Sequence, residues 1–110
     1  MAADRWSLEG HLFLGLIAKI RGALAEAGQR FKEALYIQSS CWVARFYLAE
    51  VHRCEGAFEP AAREYDLVIK LLEGKGAAAH GLKFFTFPFP CEHIAHLCRH
   101  NLEVMKNRER

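Results

Sequence analysis

The sequence predicts an all-α fold, an α-solenoid of antiparallel helical hairpins closed by a C-terminal capping helix. Three observations lead there. Apolar residues recur at helical rather than strand spacing through most of the chain. The chain resembles itself after a shift of 34 residues, which carries Leu14 onto Leu48. Its three prolines, Pro60, Pro88 and Pro90, fall where a helix begins or where helix is not expected.

The first hairpin is expected over residues 8–41. Leu14, Ile17 and Ala18 recur at helical spacing before Gly22 interrupts the pattern at a turn. A second helix follows with Ala27, Phe31, Ala34 and Leu35 on one face. Gly15 and Ala27 are small enough to let the two backbones approach, and Leu14 and Phe31 fill the space beside that contact.

The second hairpin, residues 42–75, repeats this arrangement. The shift matches Gly15 with Ala49, Ile17 with Val51, Gly22 with Gly56, Leu24 with Phe58, Ala27 with Ala61 and Phe31 with Tyr65. It continues through Ala34 with Val68, Leu35 with Ile69 and Ile37 with Leu71. Pro60 suits the first turn of the last helix of this unit, where an amide has no helical partner.

Residues 76–90 form a linker of different character. Gly76 and Gly81 loosen it, and Pro88 and Pro90 push their predecessors towards extended geometry. Phe84, Phe85, Phe87 and Phe89 are expected to fold over the open end of the second hairpin, because a short repeat array leaves an apolar end face. A capping helix is expected over residues 91–107. On a 100° wheel it collects Ile94, Leu97, Cys98, Leu102 and Met105 on one side, with Glu92, His96, Arg99, Glu103 and Lys106 on the other. The whole, residues 1–110, fits one domain with one core.

Composition narrows the function. Fifteen basic residues stand against thirteen acidic ones, and the formal net charge of +2 gives no electrostatic reason to expect nucleic acid or an anionic membrane as partner. The basic tail Lys106, Arg108 and Arg110 reads as a frayed terminus. No apolar run approaches the ~20 residues of a membrane span, and the first residues lack the apolar stretch of a signal peptide. Cys41, Cys54, Cys91 and Cys98 form no C-x-x-C pair and read as small apolar residues of a reducing cytoplasm.

The 34-residue period, with its order of small, large and aromatic residues over about residues 8–75, resembles tetratricopeptide repeats. Two positions depart from that pattern. The aromatic usual early in each first helix is His11 in one copy and Arg45 in the other, and the closing proline is Ser39 or Glu73. A related family of helical hairpins is the alternative. The run Phe31-Lys32-Glu33-Ala34-Leu35-Tyr36, followed by Ala44-Arg45-Phe46-Tyr47-Leu48-Ala49, is similar to the tetratricopeptide segment that follows the catalytic domain in some bacterial chemotaxis receptor methyltransferases of the CheR type. That resemblance implies a non-catalytic C-terminal module of a protein-glutamate O-methyltransferase that uses S-adenosylmethionine. A free-standing adaptor, or a self-association module that dimerises its parent, are the alternatives.

Chemistry within the chain itself is not expected. His93, His96 and His100 share the polar side of the last helix at i, i+3 and i+7, but a structural zinc site usually takes four ligands and Cys98 points to the apolar side. They read as solvated histidines. No Gly-rich strand-to-helix turn is present for a nucleotide or S-adenosylmethionine, and nothing fixes Cys91 or Cys98 as a nucleophile. No catalytic residue, cofactor or metal is therefore assigned.

What remains is a surface. The first helices of successive units line a concave groove in this architecture. Counted outward from the packed positions, it should present Leu12, Leu16, Lys19 and Ile20 from one unit and Phe46, Glu50, Arg53 and Cys54 from the next. An apolar strip edged by Lys19, Glu50 and Arg53 suits a protein or peptide ligand. The alternative is that some of these residues pack under the C-terminal helix. Leu12 and Leu16 stand where a carboxylate clamp would need polar residues, so a receptor for chaperone tails is not expected.

Overall fold

The computed structural model describes residues 8–73 and 91–108. They form five helices, α1 (Leu8–Ile20), α2 (Leu24–Ile37), α3 (Trp42–Cys54), α4 (Phe58–Glu73) and α5 (Cys91–Arg108), with no strand among them. The protein is all-α. The linker 76–90 and its expected packing of phenylalanines lie outside the described residues.

Consecutive helices pack in order, α1 on α2, α2 on α3, α3 on α4 and α4 on α5. The two hairpin turns are built alike. Gly22 and Gly56 take φ of +82° and +79°, which an L side chain rarely adopts. In the first turn the Ala23 amide donates to the Ala18 carbonyl at 2.8 Å and Gly22 to Lys19 at 3.0 Å. In the second, Ala57 donates to His52 at 2.9 Å and Gly56 to Arg53 at 3.1 Å. These are the paired bonds of a Schellman turn, and they use carbonyls that the helix end would otherwise leave unpaired. Pro60 stands in the first turn of α4, where its missing amide costs nothing.

The second helices of the two hairpins bury matched positions. Ala27, Phe31 and Ala34 are fully buried in the first, and Ala61, Tyr65 and Val68 in the second. Gly15 lies so close to the Phe31 ring that a Cβ built on it would sit 2.6 Å from Cε1. Between hairpins, Phe31 stacks on Tyr47 with ring centroids 5.7 Å apart, and within the second hairpin Phe46 meets Tyr65 edge-on at 6.3 Å. Burying each such ring contributes roughly 1.5–3 kcal/mol, and the Phe31–Tyr47 stack ties the hairpins into one core. On α5, Ile94, Cys98 and Met105 are buried, while Glu92, His96, Arg99, Glu103 and Lys106 are exposed, the two sides that the wheel separates.

One packing expectation is met in only one hairpin. Leu48 and Val51 of α3 are 3% and 1% exposed, whereas their matches on α1, Leu14 and Ile17, are 37% and 51% exposed. The difference follows from helix order. α2 lies across that face of α3, and a Cβ on Gly28 would meet Val51 Cγ1 at 3.6 Å and Leu48 Cδ1 at 4.0 Å. No described helix precedes α1 to cover it. No described helix is long and apolar enough to cross a membrane.

Candidate binding surface

The helix-first departures from the repeat pattern, His11 and Arg45, are each filled by polar contacts across their hairpin. Arg45 Nη1 donates to Glu64 Oε1 at 2.9 Å, and its Nη2 donates to the Ser39 carbonyl at 2.9 Å. At the matched place His11 Nδ1 lies 3.3 Å from Glu33 Oε1 and 3.5 Å from Arg30 Nη1. The Arg45 guanidinium thus joins α3 to α4 and to a turn carbonyl while its charge is paired. His11 also edges a surface depression of about 370 Å³, with Lys32, Glu33 and Tyr36 of α2 around it.

The expected groove residues separate into three groups. Leu12 and Phe46 are in the core, not on a groove. Leu12 lies three residues before Gly15 and shares its inward side, and Phe46 is held between Tyr47 and Tyr65. Glu50 and Arg53 are tied up in a polar cluster, and Cys54, next along α3, is exposed. Leu16 and Lys19 are half-buried and Ile20 is 85% exposed, so these three, all on α1, are what the groove retains.

The polar cluster joins three helices. The Tyr65 hydroxyl of α4 donates to Glu50 Oε2 of α3. Arg53 donates to Glu50 Oε1 at 2.8 Å and to the Tyr65 oxygen at 3.2 Å. From α5, the Asn101 amide donates to Glu50 at 3.1 Å and to Tyr65 at 3.2 Å. Burial, then the bond to the Glu50 carboxylate, pushes the Tyr65 phenol well above its ordinary value. The Arg53 guanidinium is held charged mainly by its bond to Glu50. Every strong group here is consumed by its neighbours, so the cluster fastens α5 onto α3 and α4 rather than offering an open site. The C-terminal helix thereby reaches Glu50 on α3 as well as Tyr65 on α4.

The first hairpin carries Leu16 and Phe31 where the second carries Glu50 and Tyr65. Acquiring a phenol at the core position requires an acceptor within reach, and the leucine-to-glutamate change supplies it. That paired difference between the two copies is a sequence signal for the cluster.

Other chemistry-bearing groups do not assemble. Among the described residues, no three His, Cys, Asp or Glu side chains gather to hold a metal ion. His93, His96 and His100 lie on the exposed side of α5. The Cys98 thiol is pushed up to about 12, chiefly by burial and then by the Glu50 charge, and burial raises Cys41 likewise. Both stay protonated and unreactive at neutral pH.

Among the described residues no helix covers an apolar face of α1 of which the groove expectation held Ile20 alone. Leu14, Ile17 and Ile20 follow one another at i, i+3 and i+6, with Arg21 one turn beyond Ile17. Sequence periodicity alone assigns Leu14 and Ile17 to a core, because it cannot say which helix has a neighbour on its far side. Comparison with family models, curated proteins and solved structures finds no match for this chain.

Proposed function

We propose that this chain is a protein–protein interaction module of the tetratricopeptide type, non-catalytic, acting in the cytoplasm through the outer face of α1. The observation that carries this reading is the contrast between matched positions: Leu48 and Val51 are sealed by α2, while Leu14 and Ile17 stand open. A contiguous apolar strip on a folded chain marks a contact site. The solenoid assignment is supported by the two alike Schellman turns and by the Gly15–Phe31 contact, whose two positions are matched in the sequence by Ala49 and Tyr65.

The narrower setting is the C-terminal module of a CheR-type methyltransferase in chemotaxis-like signalling. It rests on the runs Phe31–Tyr36 and Ala44–Ala49. Phe31, Ala34, Ala44, Phe46, Leu48 and Ala49 are all buried, so packing alone also accounts for most of these residues. The reading frame upstream of Met1 tests it: a domain with a Gly-rich S-adenosylmethionine turn supports the setting, and an unrelated frame removes it.

The module itself is tested by panning a displayed library of helical peptides against the folded chain and mapping binders by amide shift perturbation. Binders that perturb α1 support the reading. Failure to select any binder, or binders confined to α5, would overturn it.

A further inference from the structure

The repeat states what kind of helix the α1 face accepts. Where the same face occurs on α3, α2 meets it through Gly28 and Phe31, which stand in a stripe with the partly buried Leu24 and Leu35. Gly28 lets the backbone down onto Leu48 and Val51, Phe31 stacks on Tyr47, and the two half-buried leucines flank them. α4 carries the same spacing in Phe58, Ala62, Tyr65 and Ile69, and its Tyr65 meets Asn101 of α5. Both stripes therefore read apolar, small four residues on, aromatic three further, apolar four further. The small residue sets how close the helices come, and the aromatic beside it fills the flank.

We infer that the outer face of α1 receives an amphipathic helix of a partner protein bearing this apolar–small–aromatic–apolar stripe. This rests on the interaction reading above and names its ligand. The face of α1 repeats that of α3 in size and polarity: Leu14 for Leu48 and Ile17 for Val51, with Ile20 in place of Cys54 at the open end. Arg21 follows in the same strip and favours an acidic residue on the partner there. A second copy of this chain is the poorer occupant. The centres of its own two stripes, Gly28 and Phe31 on α2 and Tyr65 and Ile69 on α4, are already buried. A two-fold contact of α1 on α1 would bury little more than three exposed side chains from each copy, far short of the ~1,200 Å² of specific interfaces.

The probes are two acetylated, amidated peptides with the sequences of residues 23–38 and 57–73. Each is held helical by a lactam on the side away from the stripe, since free peptides of this length are marginal helices. Binding to the full chain is followed by fluorescence anisotropy. Saturable binding is expected, weakened at least ~10-fold by Ile17→Glu in the protein and by Gly28→Glu or Ala62→Glu in the respective peptide. Ile17 is half-exposed, so the variant should retain the wild-type circular dichroism spectrum and melt; Ile20→Glu is the second variant should it not. No binding up to ~1 mM peptide, or binding indifferent to both protein variants, overturns the inference. So does a concentration-dependent dimer, seen by light scattering, that Ile17→Glu makes monomeric. If panning instead selects α1 binders that lack the stripe, the interaction reading stands and this ligand falls.

Discussion

Gly15 gives the sharpest test of how the first hairpin is packed. Replacing it with alanine places a Cβ 2.6 Å from Phe31 Cε1 and 2.9 Å from both Cδ1 and Cζ. The ring has little room to move, being fully buried and stacked on Tyr47 at 5.7 Å. Overpacking of this kind costs about 1–3 kcal/mol. The better helix propensity of alanine returns about 0.5–1 kcal/mol. Because 2.6 Å lies well inside ordinary contact, the cost falls in the upper part of that range, and the net expectation for Gly15→Ala is a loss of about 1–2.5 kcal/mol, which lowers Tm by roughly 4–12 °C in a domain of this size. Gly28 is the internal control. Its added Cβ would meet only Val51 at 3.6 Å and Leu48 at 4.0 Å, both ordinary contacts, and its match in the second hairpin is already Ala62. Gly28→Ala should therefore gain about 0.5–1 kcal/mol from propensity alone. Urea titrations followed at 222 nm give both values, and an unchanged m-value shows that the same surface is exposed on unfolding. A Gly15→Ala variant as stable as wild type, alongside the expected gain at Gly28, would refute the Gly15–Phe31 contact.

Three further outcomes follow from the polar contacts and the buried thiols. Tyr65→Phe should cost about 1 kcal/mol and Glu50→Leu about 2–3 kcal/mol, because the second leaves the phenol, Arg53 and Asn101 without their shared acceptor. The double variant recreates the Leu16–Phe31 pairing of the first hairpin and should cost less than the two single variants together, read as a positive coupling in a double-mutant cycle. Arg45→Ala removes a pair whose side chains are 17% and 19% exposed and should cost about 2 kcal/mol. Arg63→Ala, in a pair 66% and 85% exposed, should change the urea midpoint little. The Cys98 thiol, raised by burial to about 12 from an ordinary 9, makes stability fall in alkali. The unfolded chain ionises first, so this contribution is complete below about pH 8.5 and is lost as pH rises towards 12. Cys98→Ala should flatten the decline of the urea midpoint between about pH 8.5 and 10.5.

Helix periodicity and the 34-residue shift made the helices and turns legible, because Gly22, Gly56 and the alternation of small and aromatic residues act locally. The same positions did not reveal which faces are covered. Leu14 and Leu48 are identical residues in matched places, yet one is open and the other sealed, since covering depends on the helix that comes before. The groove expectation misjudged Leu12 and Phe46 for a related reason. Counting outward from a helix wheel assumes one partner helix, whereas α3, which carries Phe46, packs on both α2 and α4, and Leu12 shares the inward side of Gly15. Glu50 and Arg53 were visible as charges at a groove edge, but their engagement by Asn101 spans the stretch from residue 50 to residue 101, beyond what spacing can connect.

The central claim is that a helix docks on the outer face of α1, and isoleucine methyl spectroscopy tests it most directly. The chain has five isoleucines, Ile17, Ile20, Ile37, Ile69 and Ile94, so a sample labelled at the δ1 methyls yields five resolvable signals. Ile17 and Ile20 stand on the α1 face, while Ile69 and Ile94 are buried. On titration with the peptide of residues 57–73, the account predicts that Ile17 and Ile20 shift progressively to saturation while Ile69 and Ile94 hold still. Shifts at Ile69 and Ile94 with Ile17 and Ile20 unmoved would place the contact elsewhere and contradict it.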